Sequence, residues 1–187
     1  TEAGPTESVS FTIENTAPVV ISVSLTPTDA YETSIIEAVI VAEDIDEDTI
    51  TFEYNWLNNG LSVSQDATLD GAFFKKGEEV TLEVVASDGL NHSDPFSSET
   101  ITILNSPPTL SGIEVSPSSA YTNNDLTCTA MGPDDVDGDD TTISFSWEVN
   151  GIEVGTDSTL SSALFAKEDL VRCTVQISDT EIGQSLS

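Results

Sequence analysis

Ile50-Thr51-Phe52-Glu53-Tyr54-Asn55-Trp56-Leu57-Asn58-Asn59-Gly60 is the stretch on which the reading of this chain turns. Ile50, Phe52, Tyr54 and Trp56 alternate with Thr51, Glu53 and Asn55. A period of two turns one face of a strand to a core and the other to water. Asn59-Gly60 follows, and Asn-Gly suits the two positive φ angles of a type I′ hairpin turn. The same phrase recurs further on: Ile143, Phe145, Trp147 and Val149 alternate with Ser144, Ser146 and Glu148 and lead into Asn150-Gly151.

The repetition spreads outward from these two stretches. Asn15-Thr16-Ala17-Pro18 matches Asn105-Ser106-Pro107-Pro108, and Pro27 with Ala30-Tyr31 matches Pro117 with Ala120-Tyr121, ninety positions on. Thr68-Leu69 matches Thr159-Leu160, Phe74 with Lys76 matches Phe165 with Lys167, and Ser87-Asp88 matches Ser178-Asp179. In this second group the offset is 91, so one residue, most simply Pro133, was gained between the blocks. Val80, Leu82, Val84 and Ala86 alternate as do Val171, Cys173, Val175 and Ile177, and no stretch sustains a helical period.

About seven short strands in about 90 residues predict an all-β chain of two tandem immunoglobulin-like β-sandwiches. In the first copy the strands are read as A at 19–25, B at 35–42, C at 50–57, C′ at 61–64, E at 67–73, F at 80–87 and G at 97–104. Residues 1–17 read as a G-type strand with a connector, 18–106 as the first domain and 107–187 as the second. Short Pro-containing connectors predict a semi-rigid rod.

Four Lys+Arg stand against 34 Asp+Glu in 187 residues, a formal charge of −30. Nothing here could neutralise phosphates, which excludes a nucleic-acid binder, and docking on an anionic membrane is disfavoured. The acids are spread along the chain, 3 in residues 1–17, 17 in 18–106 and 14 in 107–187, so the charge belongs to a folded surface. No apolar run approaches membrane-spanning length and none reads as a signal peptide, which a secreted protein would have lost.

Cys128 on strand B and Cys173 on strand F both fall on the inward parity, with Trp147 between them on strand C. That placement predicts an inter-sheet disulfide packed by the Trp, the other reading being two buried free thiols. A disulfide implies an oxidising, extracellular location. Ala38 and Leu82 occupy the matching positions of the first copy.

On Asn15-Thr16-Ala17-Pro18, the acidic turn before strand C and the Cys/Trp/Cys set, the chain resembles the tandem immunoglobulin-like repeats of large secreted surface proteins of bacteria and archaea, cadherin- or PKD-like sandwiches. The resemblance spans essentially the whole chain and implies a fold more than a role.

The repeats are cut out of phase. Residues 5–13 match 95–103 of strand G, whereas Ser187 matches position 96, so the second copy is expected to lack its own G strand. Phe11 and Ile13 could complete the second domain of a neighbouring subunit, as in donor-strand assembly, giving a head-to-tail filament of copies of the chain. Equally, the chain is a window on a longer covalent array whose neighbouring repeats supply the strand.

Glu43-Asp44-Ile45-Asp46-Glu47-Asp48 and Asp134-Asp135-Val136-Asp137-Gly138-Asp139 lie between strands B and C. Acids packed this densely repel unless a cation neutralises them, and hard oxygen donors suit Ca²⁺. In a sandwich, the B–C and F–G loops share a pole with the incoming connector. Site one would use Asp44, Asp46, Asp48 and Asp88 with Asn15 nearby, and site two Asp135, Asp137, Asp139 and Asp179 with Asn105 nearby and Asp134 as a further candidate. The arrangement looks like the junctional calcium of cadherin-type repeats without their full linker motif; the alternative is a solvated acidic loop.

His92, the single histidine, has no counterpart in the second copy and reads as a solvent-exposed loop residue. Asn91-His92-Ser93 matches a glycosylation sequon, a weak signal. Lys76 and Lys167 recur at the E–F corner, where a local ion pair or an isopeptide bond is open. No Ser/His/Asp set can be assembled, and carboxylates at exposed poles do not make a hydrolase pocket. The expected role is a non-enzymatic extracellular scaffold, a filament or stalk stiffened by Ca²⁺ at its domain junctions. The alternative is an adhesin module whose loops bind a glycan or protein on another cell; Phe96 is the aromatic that departs from buried parity.

Overall fold

The computed structural model describes residue 4 and residues 6–179. The chain divides into two compact units. The first takes in the residues up to Ala30, Ser34–Phe74 and Glu78–Thr102; the second takes in Tyr31–Thr33, Lys75–Gly77 and the residues from Ile103 onward. Both are all-β immunoglobulin-like sandwiches.

In the first unit, β1 (Val19–Thr26), β2 (Ile35–Glu43) and β5 (Thr68–Asp70) form one sheet in the order β1-β2-β5. β3 (Thr51–Asn58), β4 (Leu61–Ser64), β6 (Glu79–Ser87) and β7 (Phe96–Ser97) form the other in the order β4-β3-β6-β7, and β8 (Ile101–Thr102) also pairs with β6. All these pairings are antiparallel. Strand parity dictates the core: Val80, Leu82, Val84 and Ala86 of β6 are fully buried, as are Ile36, Trp56 and Leu69. The Trp56 indole N–H donates to the Asp66 carbonyl at 2.9 Å, so the ring is buried with its polar atom satisfied. Asn59 and Gly60 adopt φ of 49° and 78°, as the hairpin between β3 and β4 requires.

Two strands are shorter than their apolar alternation suggests. Strand E ends at Asp70 because the Asp70 carboxylate accepts from Ala72 N at 2.9 Å and the Asp70 carbonyl accepts from Phe73 N at 3.1 Å, closing a turn. Strand G is broken into β7 and β8, with Ser98 between them. Its hydroxyl accepts from Leu82 N at 3.1 Å, a side chain standing where a ladder carbonyl would. Phe96 pairs with Val84 and is half-buried.

In the second unit, β9 (Gly112–Ser116), β10 (Leu126–Met131) and β13 (Thr159–Leu160) form the sheet β13-β10-β9. β11 (Thr142–Val149), β12 (Ile152–Gly155) and β14 (Val171–Ser178) form the sheet β12-β11-β14. Among the described residues no strand lies beyond β14. Cys128 and Cys173 are joined by a disulfide across the core, and Trp147 is the register partner of Cys173. Leu126, Val149 and Leu160 complete the buried cluster.

Phe11 and Ile13 lie outside any strand, 82% and 78% exposed. Positions matching 96 and beyond in the second copy, Ser187 among them, lie outside the described residues.

Asp169, at the E–F corner of the second unit, accepts from the Asn150 amide at 2.8 Å and from Ala166 N at 2.7 Å. These bonds, the Asn150 amide first, hold its carboxyl below the ordinary carboxylate range. A lowered folded pKa stabilises the unit above the unfolded value of about 4, and that contribution is lost as pH falls through the folded value. Asp169→Ala should therefore lower the melting temperature of the second unit at neutral pH, with the gap to the parent closing as pH falls through the acid range. Thermal scans against pH check this; a gap constant at all pH values would contradict it.

Candidate metal sites

Both acidic loops are built on the same plan. In the first unit one oxygen of Asp44 accepts from Asp46 N at 2.8 Å and from Asp48 N at 3.4 Å, so the carboxylate folds its own loop into a hook. In the second unit one oxygen of Asp135 accepts from Asp137 N at 2.9 Å and from Asp139 N at 3.1 Å. The residue at the bend has positive φ in both: Glu47 at 63° and Gly138 at 77°. The other oxygens, Asp44 Oδ2 and Asp135 Oδ2, are buried and have no hydrogen-bond partner.

Each loop also holds the segment that leads into its own unit. Asp46 accepts from Thr16 N at 2.7 Å, and Asp137 accepts from Ser106 N and, at 3.0 Å, from the Ser106 hydroxyl. From the F–G side, Asp88 accepts from the Asn15 amide at 2.8 Å, and Asp179 accepts from the Asn105 amide at 2.8 Å. The N–H groups of Leu90 and Asn91, each at 2.7 Å, also bond Asp88. The Asn91 N–H chiefly, with the Asn15 amide next, holds the Asp88 carboxyl below its ordinary value.

Not every residue singled out from the sequence joins a cluster. Carboxylate oxygens of Asp44, Asp46 and Asp48 lie within 4.8 Å of one another, as do those of Asp135, Asp139 and Asp179. Asp88 and Asp137 stand outside these triads and are occupied by the Asn15 amide and by Ser106. Asp134 is exposed, and its backbone bridges to Thr109, with N to carbonyl distances of 2.8 and 3.0 Å.

Two participants carry no local signal in the sequence. Thr16 acts through its backbone N–H, which any residue but proline supplies, and Ser106 adds its hydroxyl to the same backbone contact. Lys76, within the second unit, is the register-distant one: its ammonium forms a short ion pair with Asp139 and donates to Asn105 Oδ1 at 3.1 Å. Its recurrence as Lys167 was the available signal. Glu32 positions this corner, accepting from Lys75 Nζ at 2.7 Å and from Lys76 N at 3.0 Å. Burial alone would raise the Glu32 carboxyl; the Lys75 ammonium and Lys76 N–H outweigh that and lower it.

Carboxylates clustered in this way, with no His or Cys among them, are donors of the kind a hard divalent cation takes. No nucleophile and base are paired among these residues.

No protein-family model and no curated protein matches the chain. Among solved structures its neighbours are fibronectin type III domains, themselves immunoglobulin-like sandwiches. The crystal structure of chicken CNTN1 FN1-FN3 domains matches at 12% identity and a TM-score of 0.35, covering 88% of this chain and 62% of that one. Fibronectin(III)-like modules of Clostridium thermocellum CbhA match at 19% identity and a TM-score of 0.32, covering 84% of this chain and 86% of that one. The chain thus spans less than two thirds of the CNTN1 structure.

Proposed function

We propose that a chain of tandem immunoglobulin-like sandwiches with this surface is a non-enzymatic extracellular structural protein. It is the repeat unit of a filament or stalk assembled head-to-tail, with strand complementation between copies and Ca²⁺ stiffening the junction at which each sandwich is entered.

The observation that carries the reading is the pair of buried, unpartnered oxygens, Asp44 Oδ2 and Asp135 Oδ2, each in a triad of carboxylates. An ionised oxygen withdrawn from water without a partner is costly, and its neighbours are of like charge. A cation answers both costs at once. Oxygen-only donors favour calcium, and calcium sites of extracellular modules have Kd values of about 10⁻⁴–10⁻³ M, saturated only in a calcium-rich medium. The same loops already grip Thr16 and Ser106, so an ion that ordered them would fix the entering segment against its sandwich. The disulfide supports an oxidising compartment. Among the described residues no helix is long and apolar enough to cross a membrane.

Electron microscopy of the chain with calcium and with EDTA tests the reading: straight rods with the ion and bent ones without it are expected. Rods of equal curvature in both would refute calcium stiffening.

Lys76 makes the two sites unequal. Its ammonium competes with a metal ion for Asp139 and Asn105. Lys76→Met should tighten calcium binding in the second unit by a factor of roughly five, about 1 kcal/mol, and leave the first site unchanged. Calorimetric titration of parent and variant reads the difference.

A second reading, an adhesin module binding a glycan or protein, is favoured by Ile45 and Leu90, which are 79% and 75% exposed on the B–C and F–G loops of the first unit. A glycan or cell-surface protein array in which Ile45→Ser/Leu90→Ser abolishes a hit would establish it.

A further inference from the structure

We infer that the outer face of the β1-β2 pair in the first unit is a docking surface for an amphipathic helix of a partner protein, one whose apolar stripe is flanked by Lys or Arg. This surface is independent of calcium and of the head-to-tail assembly proposed above. On it Val19 and Ile21 of β1 and Val39 and Val41 of β2 point away from the core, each 48 to 56% exposed.

Strand pairing makes these side chains one patch. Val41 lies opposite Ser22, Val39 opposite Ser24 and Val19 opposite Glu43. The register shift between Val20 and Ser22 sets Ile21 beside Ser22 on the solvent side, both exposed. Contiguous apolar side chains on a solvent face mark an interaction site.

The second copy shows that the sandwich does not require them. Thr109, Ser111, Thr129 and Met131 occupy the matching positions, and β9 pairs with β10 in the matching register, Glu114 opposite Thr129 as Ser24 is opposite Val39. Thr129 is β-branched and meets the preference of a strand as Val39 does. Strand propensity therefore accounts for branching at these positions and not for apolarity. Ile35, 59% exposed at the start of β2, is matched by Asp125.

Shape and charge select the occupant. The backbone of β2 is paired by β1 on one side and β5 on the other, so its outer face offers side chains and no ladder bonds. What lies there must satisfy its own backbone, as a helix does. From Val19 to Ser24 the strip runs about 16 Å at the rise of a strand, the length of three helical turns, and two strands are about 10 Å wide, the diameter of a helix. Exposed Glu37 and Glu43 close the two ends of the strip, on a chain with a formal charge of −30. A second copy would bring the same charge. Its four Lys and Arg already face carboxylates: Lys75 with Glu32, Lys76 with Asp139, Lys167 with Glu168 and Arg172 with Glu148. Cations to flank the stripe come from a different protein.

The test titrates the full chain with a synthetic Leu/Lys peptide of about 18 residues, long enough to be helical in water, with Leu on one face. Ile21→Ser/Val39→Thr places the second copy's residues on the strip at unchanged charge, so attraction of the peptide to the acidic surface at large is common to both chains. Saturable binding to the parent is expected, with amide chemical shifts changing in β1 and β2. The variant should bind at least tenfold more weakly with its circular dichroism unchanged. Glu37→Gln/Glu43→Gln, which keeps the apolar strip, should weaken binding severalfold, and a peptide with Glu in place of Lys should bind the parent at least tenfold more weakly. Absence of binding, equal affinity for parent and Ile21→Ser/Val39→Thr, or shifts confined to another face overturns the surface. Equal binding of the Glu peptide overturns the flanking cations. Self-association of the parent that Ile21→Ser/Val39→Thr abolishes makes the occupant a second copy and overturns the partner named here.

Discussion

Reduction of the Cys128–Cys173 disulfide is expected to destabilise the second unit by about 4 kcal/mol and to leave the first untouched. The bond closes a loop with a sequence separation of 45, and the chain-entropy model assigns about 4 kcal/mol to a loop of that size. For a domain of this size each kcal/mol moves the melting temperature by about 4–8 °C, so a fall of roughly 15–30 °C is expected. The first unit is the internal control, since Ala38 and Leu82 stand where the cysteines would be. Hydrogen exchange with and without reductant separates the units: amides of β11 and β14 should accelerate while those of β3 and β6 keep their rates. Equal acceleration in both, or none in either, would contradict this.

Calcium should raise the stability of both units, each by about 2.7 kcal/mol when the free ion is a hundredfold above Kd. On the same scale this is a rise of roughly 10–20 °C in melting temperature. Asp135→Asn isolates the cause. The amide can keep an oxygen for Asp137 N and Asp139 N while replacing the buried, unpartnered oxygen with a donor that repels a cation. The variant should lose the calcium response of the second unit and retain that of the first, with its stability in EDTA equal to the parent's or higher. Thermal scans at graded free calcium measure both. Unshifted transitions in the parent at about 0.1 M calcium, a hundredfold above a Kd of about 10⁻³ M, would exclude the ion and leave the loops as solvated acidic turns.

The parts of the fold legible in the sequence are those set by short-range rules. Alternation at Ile50–Trp56 and Ile143–Val149 fixes which face is buried, and a hairpin at Asn59-Gly60 follows from two positive φ angles. The two cysteines fall on inward parity, and the disulfide is formed. The early end of strand E and the break in strand G were not legible, because each depends on a polar side chain, Asp70 or Ser98, taking a backbone bond that alternation assigns to a ladder.

The acidic loops show the same division. Their recurrence was plain, but the distribution of work within them was not. Asp46 and Asp179 converge with their triads although each also accepts from the entering segment, whereas Asp137, held by Ser106, and Asp88, held by Asn15 and two loop N–H groups, do not, and no residue type signals that difference. Asp134 is withdrawn by a backbone bridge that no residue type signals. Lys76 lies 63 positions from Asp139, and only the folded chain brings that pair together.

The grip of each loop on the residues ahead of its sandwich has a bearing on where the boundary of a module falls. A cassette cut just before Asn15 and again just before Asn105 carries Asp46 and Asp88 together with the groups that engage them. A cassette cut at Pro18 would strand both carboxylates without their partners. A module that keeps these contacts therefore begins three residues upstream of its sandwich.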